Sequence, residues 1–453
     1  MMTYKEENNK LFNDFLESFF YEDYRSKDIR GKKCSLELVV SPRCNLACRY
    51  CYVNKFKHET FSEDIFNCDK TLENTLKVLE WLKFNKMIPR LDIFSGELFA
   101  QQVGYDLMEL MYNFYKDTEP ELRVPSIVIP TNFTFMCSDK YRDMVLGYKE
   151  KFESLGIMFH LSASFDGKYM EENRPFTHDL DIDLNVIRDD DYYDKVFKFI
   201  KDTDSGLHPM VYSKNIDKWV ENFEWFQSMM SKHGIDWKQI YLLQVRNVEW
   251  AVSENQHLYE FIQYLIDFAW NKLEKNKTAF CRFLLDQSWG LGFNLLHVPF
   301  TSITRGMTCS IQSDLSIRVS DLKVFPCHRL MYPHLEIGQY VEDADSVLVF
   351  DTKVAELGLS IYGLESKMLP VCATCQINNL CIRGCLGSQY EVNKNMFLPI
   401  PSVCRNSHVI ASAVIDGLER IGVYDMVYAS QSSIKRTQME YIRYNRQIEE
   451  DIK

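Results

Sequence analysis

The apolar positions of the chain fall into two alternating periods. Short extended patterns mark strands at Ser35–Val40, Arg90–Phe94, Ser126–Ile129, Phe159–Ser164, Pro209–Tyr212 and Ile240–Val245. Helical spacing follows each one, at Leu72, Leu76 and Leu79, then Tyr105–Tyr115, Lys140–Leu155, Tyr192–Ile200, Trp219–His233 and Leu258–Leu273. Six strand–helix units in series imply parallel strands joined by crossover helices. The expected fold class is α/β, a partial (β/α)6 TIM-like barrel over residues 34–300, with a doubly wound sheet as the alternative arrangement of the same units. Either way, ligands gather at the carboxyl ends of the strands.

The flanks read differently. Leu11, Phe12, Phe15, Leu16, Phe19 and Phe20 recur at helical spacing, so residues 1–33 are expected to form an amphipathic helix packed on the barrel or offered to a partner. Beyond residue 300 the alternation fades and cysteines take over, which sets residues 301–406 apart as a second domain and leaves 407–453 as a helical tail. The acidic stretch Asp179–Asp194 reads as a solvated loop, with a lid as the alternative.

Bulk properties narrow the class. With 453 residues, 46% hydrophobic and 26% charged, the chain is an ordinary globular protein with room for two or three units. A formal net charge of −12 argues against nucleic acid, whose phosphates need basic surface. No apolar run approaches the roughly 20 residues of a membrane span, and the start, MMTYKEENNK, lacks a signal-peptide pattern. A cytoplasmic location follows, and there the 14 cysteines are expected as thiols or metal ligands, not disulfides.

The chemistry sits where the frame puts ligands. Cys44, Cys48 and Cys51 follow the first strand, Ser95-Gly96-Glu97-Leu98 the second, and Pro130-Thr131-Asn132 the third. Ser164-Phe165-Asp166-Gly167 ends the fourth, Tyr212-Ser213 the fifth and Arg246-Asn247 the sixth. Three cysteines are an odd set. A disulfide framework needs pairs and a closed zinc site needs four ligands. Three thiolates can hold three corners of a 4Fe–4S cube and leave one iron open to a small molecule.

Cys44-x3-Cys48-x2-Cys51, with aromatic Tyr50 before the last cysteine, resembles the signature of the radical SAM superfamily. That resemblance implies a cluster whose open iron is chelated by S-adenosylmethionine, which is cleaved on reduction to a 5′-deoxyadenosyl radical. It also implies cofactor contacts at Tyr50, Gly96, Glu97, Asn132, Ser164 and Arg174. Ser95 and Leu98 stand where the family has Gly and Pro, and Phe133 where it has Gly, so a positive φ at Phe133 is not expected.

Cys372-x2-Cys375-x5-Cys381-x3-Cys385 and then Cys404, with Cys309 and Cys327 upstream, resembles the SPASM domain of a subset of these enzymes. The resemblance covers about residues 35–405. It implies two auxiliary 4Fe–4S clusters, three clusters in all. The outer one takes Cys372, Cys375, Cys381 and Cys404, and the inner one takes Cys309, Cys327 and Cys385, its fourth position either open to substrate, such as a substrate cysteine thiolate, or filled by an unassigned ligand. Leu322 replaces a family glycine before Cys327, so the hairpin there is expected to differ. Cys34, Cys68, Cys137 and Cys281 read as small buried hydrophobes.

The function so implied is modification of a peptide or protein, above all a ribosomally made precursor peptide that receives a thioether or C–C crosslink. The partners expected are that peptide and an external one-electron reductant; since only 43 residues precede Cys44, leader recognition is expected to use another surface or a separate leader-peptide-binding protein, or there is no leader. His328 is a candidate catalytic base, standing where the sulfatase-maturing branch has an aspartate. Formylglycine formation of that branch's type, radical chemistry on a small molecule, and a non-catalytic electron-transfer protein are the alternatives.

Overall fold

The computed structural model describes residues 35–54, 68–84, 88, 90–285, 314–341, 346–349, 372, 374–378, 380–381, 385–431 and 433–452. The expected helix over 1–33, together with Cys34, Cys309 and the Cys68 side chain, lies outside the described residues. The chain divides into two compact units.

The first unit draws on Met1–Ser164, Arg174–Gly206 and Ser310–Gly363. Its strands are β1 (Ser35–Val39), β2 (Arg90–Phe94), β3 (Ser126–Thr131) and β4 (Met158–Ala163). Its helices are α1 (Cys68–Phe84), α2 (Gln102–Lys116), α3 (Asp139–Ser154) and α4 (Asp190–Thr203). β1 is buried at all five positions, as expected of a parallel strand covered on both faces. It pairs in parallel with β2, β2 with β3, and β3 with β4. Consecutive strands are therefore neighbours, the order of a barrel wall; a doubly wound sheet reverses direction at a switch point.

Four later strands complete the sheet and were not expected. They are β7 (Asp314–Arg318), β8 (Lys323–Phe325), β9 (Gly338–Val341) and β10 (Ser346–Val349), numbered after the two strands of the second unit. The order runs β10-β9-β8-β7-β1-β2-β3-β4, with Gly206 at the far edge. β7 lies parallel to the other side of β1, with Glu37 opposite Ser316, and turns back antiparallel into β8. That turn keeps a left-handed residue although it lacks glycine, since Leu322 has φ 56°. The acidic stretch is not all loop. Its last third opens α4, where the Asp189 carboxylate caps the Tyr192 N–H at 2.9 Å.

The second unit draws on Phe165–Asn173, Leu207–Cys309 and Leu364–Lys453. Its strands, β5 (Met210–Val211) and β6 (Leu243–Gln244), are shorter than the expected Pro209–Tyr212 and Ile240–Val245. The pairing nevertheless extends through Tyr241 N–H to Leu207 O at 2.8 Å and Val245 N–H to Val211 O at 3.0 Å. Its helices are α5 (Trp219–Lys232), α6 (Val252–Lys272), α7 (Lys277–Leu285), α8 (Leu386–Asn393), α9 (Pro401–Arg420), α10 (Tyr424–Ser430) and α11 (Ser433–Ile452). α9 packs along α6, where Tyr259 donates to Asp416 and Gln263 to the Ala413 carbonyl. It starts at Pro401, earlier than the expected tail, because proline is favoured in the first helical turn. Cys404 therefore sits on this helix.

Candidate functional site

In the first unit the carboxyl ends of β1, β2 and β3 converge on the three-cysteine loop. The turn after β2 is sewn to that loop. Gly96 N–H donates to Ser41 O at 2.7 Å and Glu97 N–H to Arg43 O at 2.9 Å. Ser95 Oγ donates to Ser41 O at 3.0 Å, and Gln101 Nε2 to Arg43 O at 3.1 Å and Glu97 O at 2.7 Å. A side chain at 96 has no room, since a Cβ there would lie 2.2 Å from the Arg43 carbonyl oxygen. The Ser95 hydroxyl and the Gly96 amide share one acceptor, the Ser41 carbonyl.

Glu97 is 2% exposed and holds three donors: Phe99 N–H at 3.1 Å, Thr131 Oγ at 2.8 Å and Asn132 N–H at 2.5 Å. Burial pushes its carboxyl up to about 7, against the pull of those donors and the Arg174 charge. A carboxylate accepts about four hydrogen bonds, so one position remains for a ligand donor. Asn132 turns back to the loop, donating to Asn45 Oδ1 at 2.9 Å, with Cys44 Sγ at 3.9 Å. Asn45 is fully buried and donates to Thr134 Oγ at 2.9 Å. Sequence reasoning missed it, although it follows Cys44 directly. Phe133 corrects the expectation above: its φ is 63°, left-handed without glycine. Its buried ring packs edge-on to Phe199 at 5.6 Å and tilted against Phe135 at 5.2 Å, which holds the backbone there.

Tyr50, Ser164 and Arg174 meet as well. Arg174 Nε donates to Tyr50 OH at 2.7 Å and Nη2 to Ser164 Oγ at 2.8 Å, while Nη1 reaches the Ser164 carbonyl. The chain after Arg174 crosses the cysteine loop, through Ala47 N–H to Pro175 O at 2.9 Å and Thr177 N–H to Asn45 O at 3.0 Å. A two-point ion pair from Arg43 to Asp181, at 2.7 and 3.1 Å, ties the acidic stretch down beside Cys44.

His328 is held by a residue that sequence reasoning passed over. Glu37, 5% exposed in the middle of β1, contacts His328 Nδ1 at 2.9 Å and accepts its backbone N–H at 3.0 Å. Ser316, opposite in register, donates to the same carboxylate. Burial alone would raise the Glu37 carboxyl, but the His328 and Ser316 contacts outweigh it and hold it below the usual range. An ionised carboxylate only accepts, so Nδ1 carries the proton and Nε2 is the other nitrogen. The ring stacks on Phe94 at 4.3 Å and faces Tyr52 at 5.6 Å. The signal was a lone acid inside an otherwise apolar strand.

No disulfide joins any described cysteine. Among the described residues no three His, Cys, Asp or Glu side chains close on a single metal ion. Ligands of one ion each lie about 2.3 Å from it, whereas a cubane takes a thiolate at each corner and keeps them further apart. The donor chemistry suits such a cluster. Burial raises the Cys44 thiol well above its usual range, and the Cys48, Glu97 and Cys51 charges raise it further. Thiolates so crowded call for a cationic core. In the second unit, burial pushes Cys404 up to about 12, with Cys381, Cys372 and Cys375 adding to it. Cys281 is buried as expected; Cys137 is only half-buried, its sulfur 3.4 Å from the Ile187 carbonyl.

The arrangement is a mixed α/β fold around a parallel sheet, matching the fold of the radical SAM enzymes that the motifs resemble. Among solved structures it is similar to histidine-tagged anSMEcpe with bound AdoMet, at a TM-score of 0.53 and 17% identity over 90% of this chain and 99% of that one. Streptococcus suis SuiB bound to S-adenosylmethionine also matches, at a TM-score of 0.48 and 13% identity over 88% of this chain and 81% of that one. No protein-family model matches the chain, and no curated protein does. Among the described residues, no helix is long and apolar enough to cross a membrane.

Proposed function

We propose that the chain is a radical SAM enzyme with a C-terminal SPASM domain, and that it modifies a peptide, ribosomally made, by a thioether or C–C crosslink. The observation that carries this reading is the junction of three strand ends: the Cys44, Cys48 and Cys51 loop is sewn to the Glu97 turn and to Asn132. The solved structure with this fold that binds AdoMet supports the cofactor. S-adenosylmethionine, when bound and reduced, supplies a 5′-deoxyadenosyl radical that takes a hydrogen atom from an unactivated carbon.

The residues take the following parts. Cys44, Cys48 and Cys51 hold the cluster. Glu97 accepts from the cofactor's amino group as a charged acceptor. Arg174 and Ser164, braced by Tyr50, and Asn132 complete the cofactor pocket. Cys372, Cys375, Cys381 and Cys404 hold the outer auxiliary cluster, and Cys309, Cys327 and Cys385 the inner one. His328, with Nδ1 fixed by Glu37, is the base that takes a proton from substrate at Nε2. An external one-electron reductant is its partner, in the cytoplasm. Formylglycine formation is the second reading, favoured by the carboxylate-held His328 beside Cys327.

Iron, sulfide and 5′-deoxyadenosine are the test, after anaerobic reconstitution and reduction. Three cubanes predict about twelve irons per chain and about eight in a Cys44/Cys48/Cys51→Ala variant, which makes no 5′-deoxyadenosine. A wild-type chain holding zinc, or yielding no 5′-deoxyadenosine, overturns the reading.

A further inference from the structure

We propose that His408 donates a hydrogen bond to the Cys375 sulfur of the outer auxiliary cluster and so raises that cluster's reduction potential. The proposal rests on the reading of Cys372, Cys375, Cys381 and Cys404 as the ligands of that cluster.

His408 lies on α9, four residues after Cys404. Residues i and i+4 of a helix share a face, so the ring and the Cys404 sulfur are presented to the same side. His408 Nε2 lies 3.9 Å from Cys375 Sγ, within reach of an N–H to sulfur contact. Cys375 comes from the Cys-x2-Cys turn, where its N–H closes on the Cys372 carbonyl at 3.1 Å. The same histidine thus touches one ligand from the turn while riding on the helix that supplies another. Cys404 senses the Cys381, Cys372 and Cys375 charges, so the other three sulfurs lie within electrostatic reach of it.

The direction of the bond follows from the ligand. A metal-bound thiolate has no proton to give, so His408 is the donor and its Nε2 carries the hydrogen. Four thiolates already complete a 4Fe–4S cube, so the ring has no iron to bind. A donor aimed at a ligand sulfur withdraws electron density from it. That stabilises the reduced cluster, which carries one more negative charge, and raises the potential. His408 is exposed, so its ring can be replaced without emptying a core.

The experiment is an EPR-monitored potentiometric titration of the reconstituted full chain, as wild type, His408→Leu and His408→Gln, with iron measured on each sample. Wild type and both variants should hold about twelve irons. In His408→Leu one cluster should titrate at lower potential. Its reduced-to-oxidised ratio at fixed potential should fall about tenfold, which is 59 mV for a one-electron couple. His408→Gln keeps an N–H donor and should recover part of the shift. Full iron with no displaced cluster in His408→Leu overturns the proposal and leaves the SPASM reading standing. Loss of about four irons in His408→Leu would make the histidine a ligand and also overturns it. A wild-type chain without the outer cluster removes the SPASM reading and the proposal together.

Discussion

Two buried glutamates in one unit respond oppositely to their surroundings although each holds three donors, and the difference lies in the His328 contact that outweighs burial at Glu37. Glu97 has three neutral donors and the pull of the Arg174 charge, and burial wins; its carboxyl rises to about 7. The folded chain then binds a proton at Glu97 that the unfolded chain, titrating near 4.5, has released. Stability from this group is therefore fully present below about pH 4.5 and lost as pH rises through about 7. A rise of this size is worth about 3 kcal/mol. The cluster-free chain should lose stability between pH 5 and 8 in urea titrations, and Glu97→Gln should flatten that slope. A slope unchanged in the variant would place the titration elsewhere. On the proposed function, S-adenosylmethionine would donate to the ionised carboxylate in place of the missing proton.

At the scale of elements, β1 is the axis: it carries the cysteine loop at its end and Glu37 at its centre, between β2 and β7. Glu37 links three elements, β1 through its own backbone, β7 through Ser316, and the turn after β8 through His328. Its carboxyl is held low, so its contribution is full above about pH 4.5 and lost as pH falls below it, the reverse of Glu97. Glu37→Leu should destabilise the chain by about 2–4 kcal/mol, because the Ser316 hydroxyl and His328 N–H lose their acceptor in a buried place. Chemical denaturation at pH 7 measures it, and a neutral result would mean that water replaces the carboxylate.

This is also where the sequence was most and least readable. The six strand–helix periods were legible because burial on both faces writes itself as apolar runs, as in SLELV. The pairing of β7 with β1 was not, since a five-residue strand 279 positions away leaves no local trace. The cysteine spacings announced the site, whereas Asn45 and Gln101 were visible only once folding had brought their partners near. Glycine was the misleading guide. Phe133 and Leu322 keep left-handed backbone without it, because aromatic packing at Phe133 outweighs a strain of about 1 kcal/mol.

For the whole molecule, the question is how far its two cysteine systems act apart. The loop of Cys44, Cys48 and Cys51 belongs to the first unit, and the outer set of Cys372, Cys375, Cys381 and Cys404 to the second. Each set has its own local scaffold: the loop is sewn to the turns after β2 and β3, and Cys404 is carried by α9, which packs on α6. On the proposed function, radical formation would need only an open iron, an electron and the cofactor contacts of the first unit. Cys404→Ala should therefore lower iron by about four atoms per chain while reduction with dithionite still yields 5′-deoxyadenosine. On the proposed function, the product peptide should be made more slowly, because the electron left after hydrogen abstraction would lose one station on its way out. If Cys404→Ala instead abolishes 5′-deoxyadenosine with the first cluster intact by EPR, electrons enter through the outer cluster, and the second unit supplies the site as well as draining it.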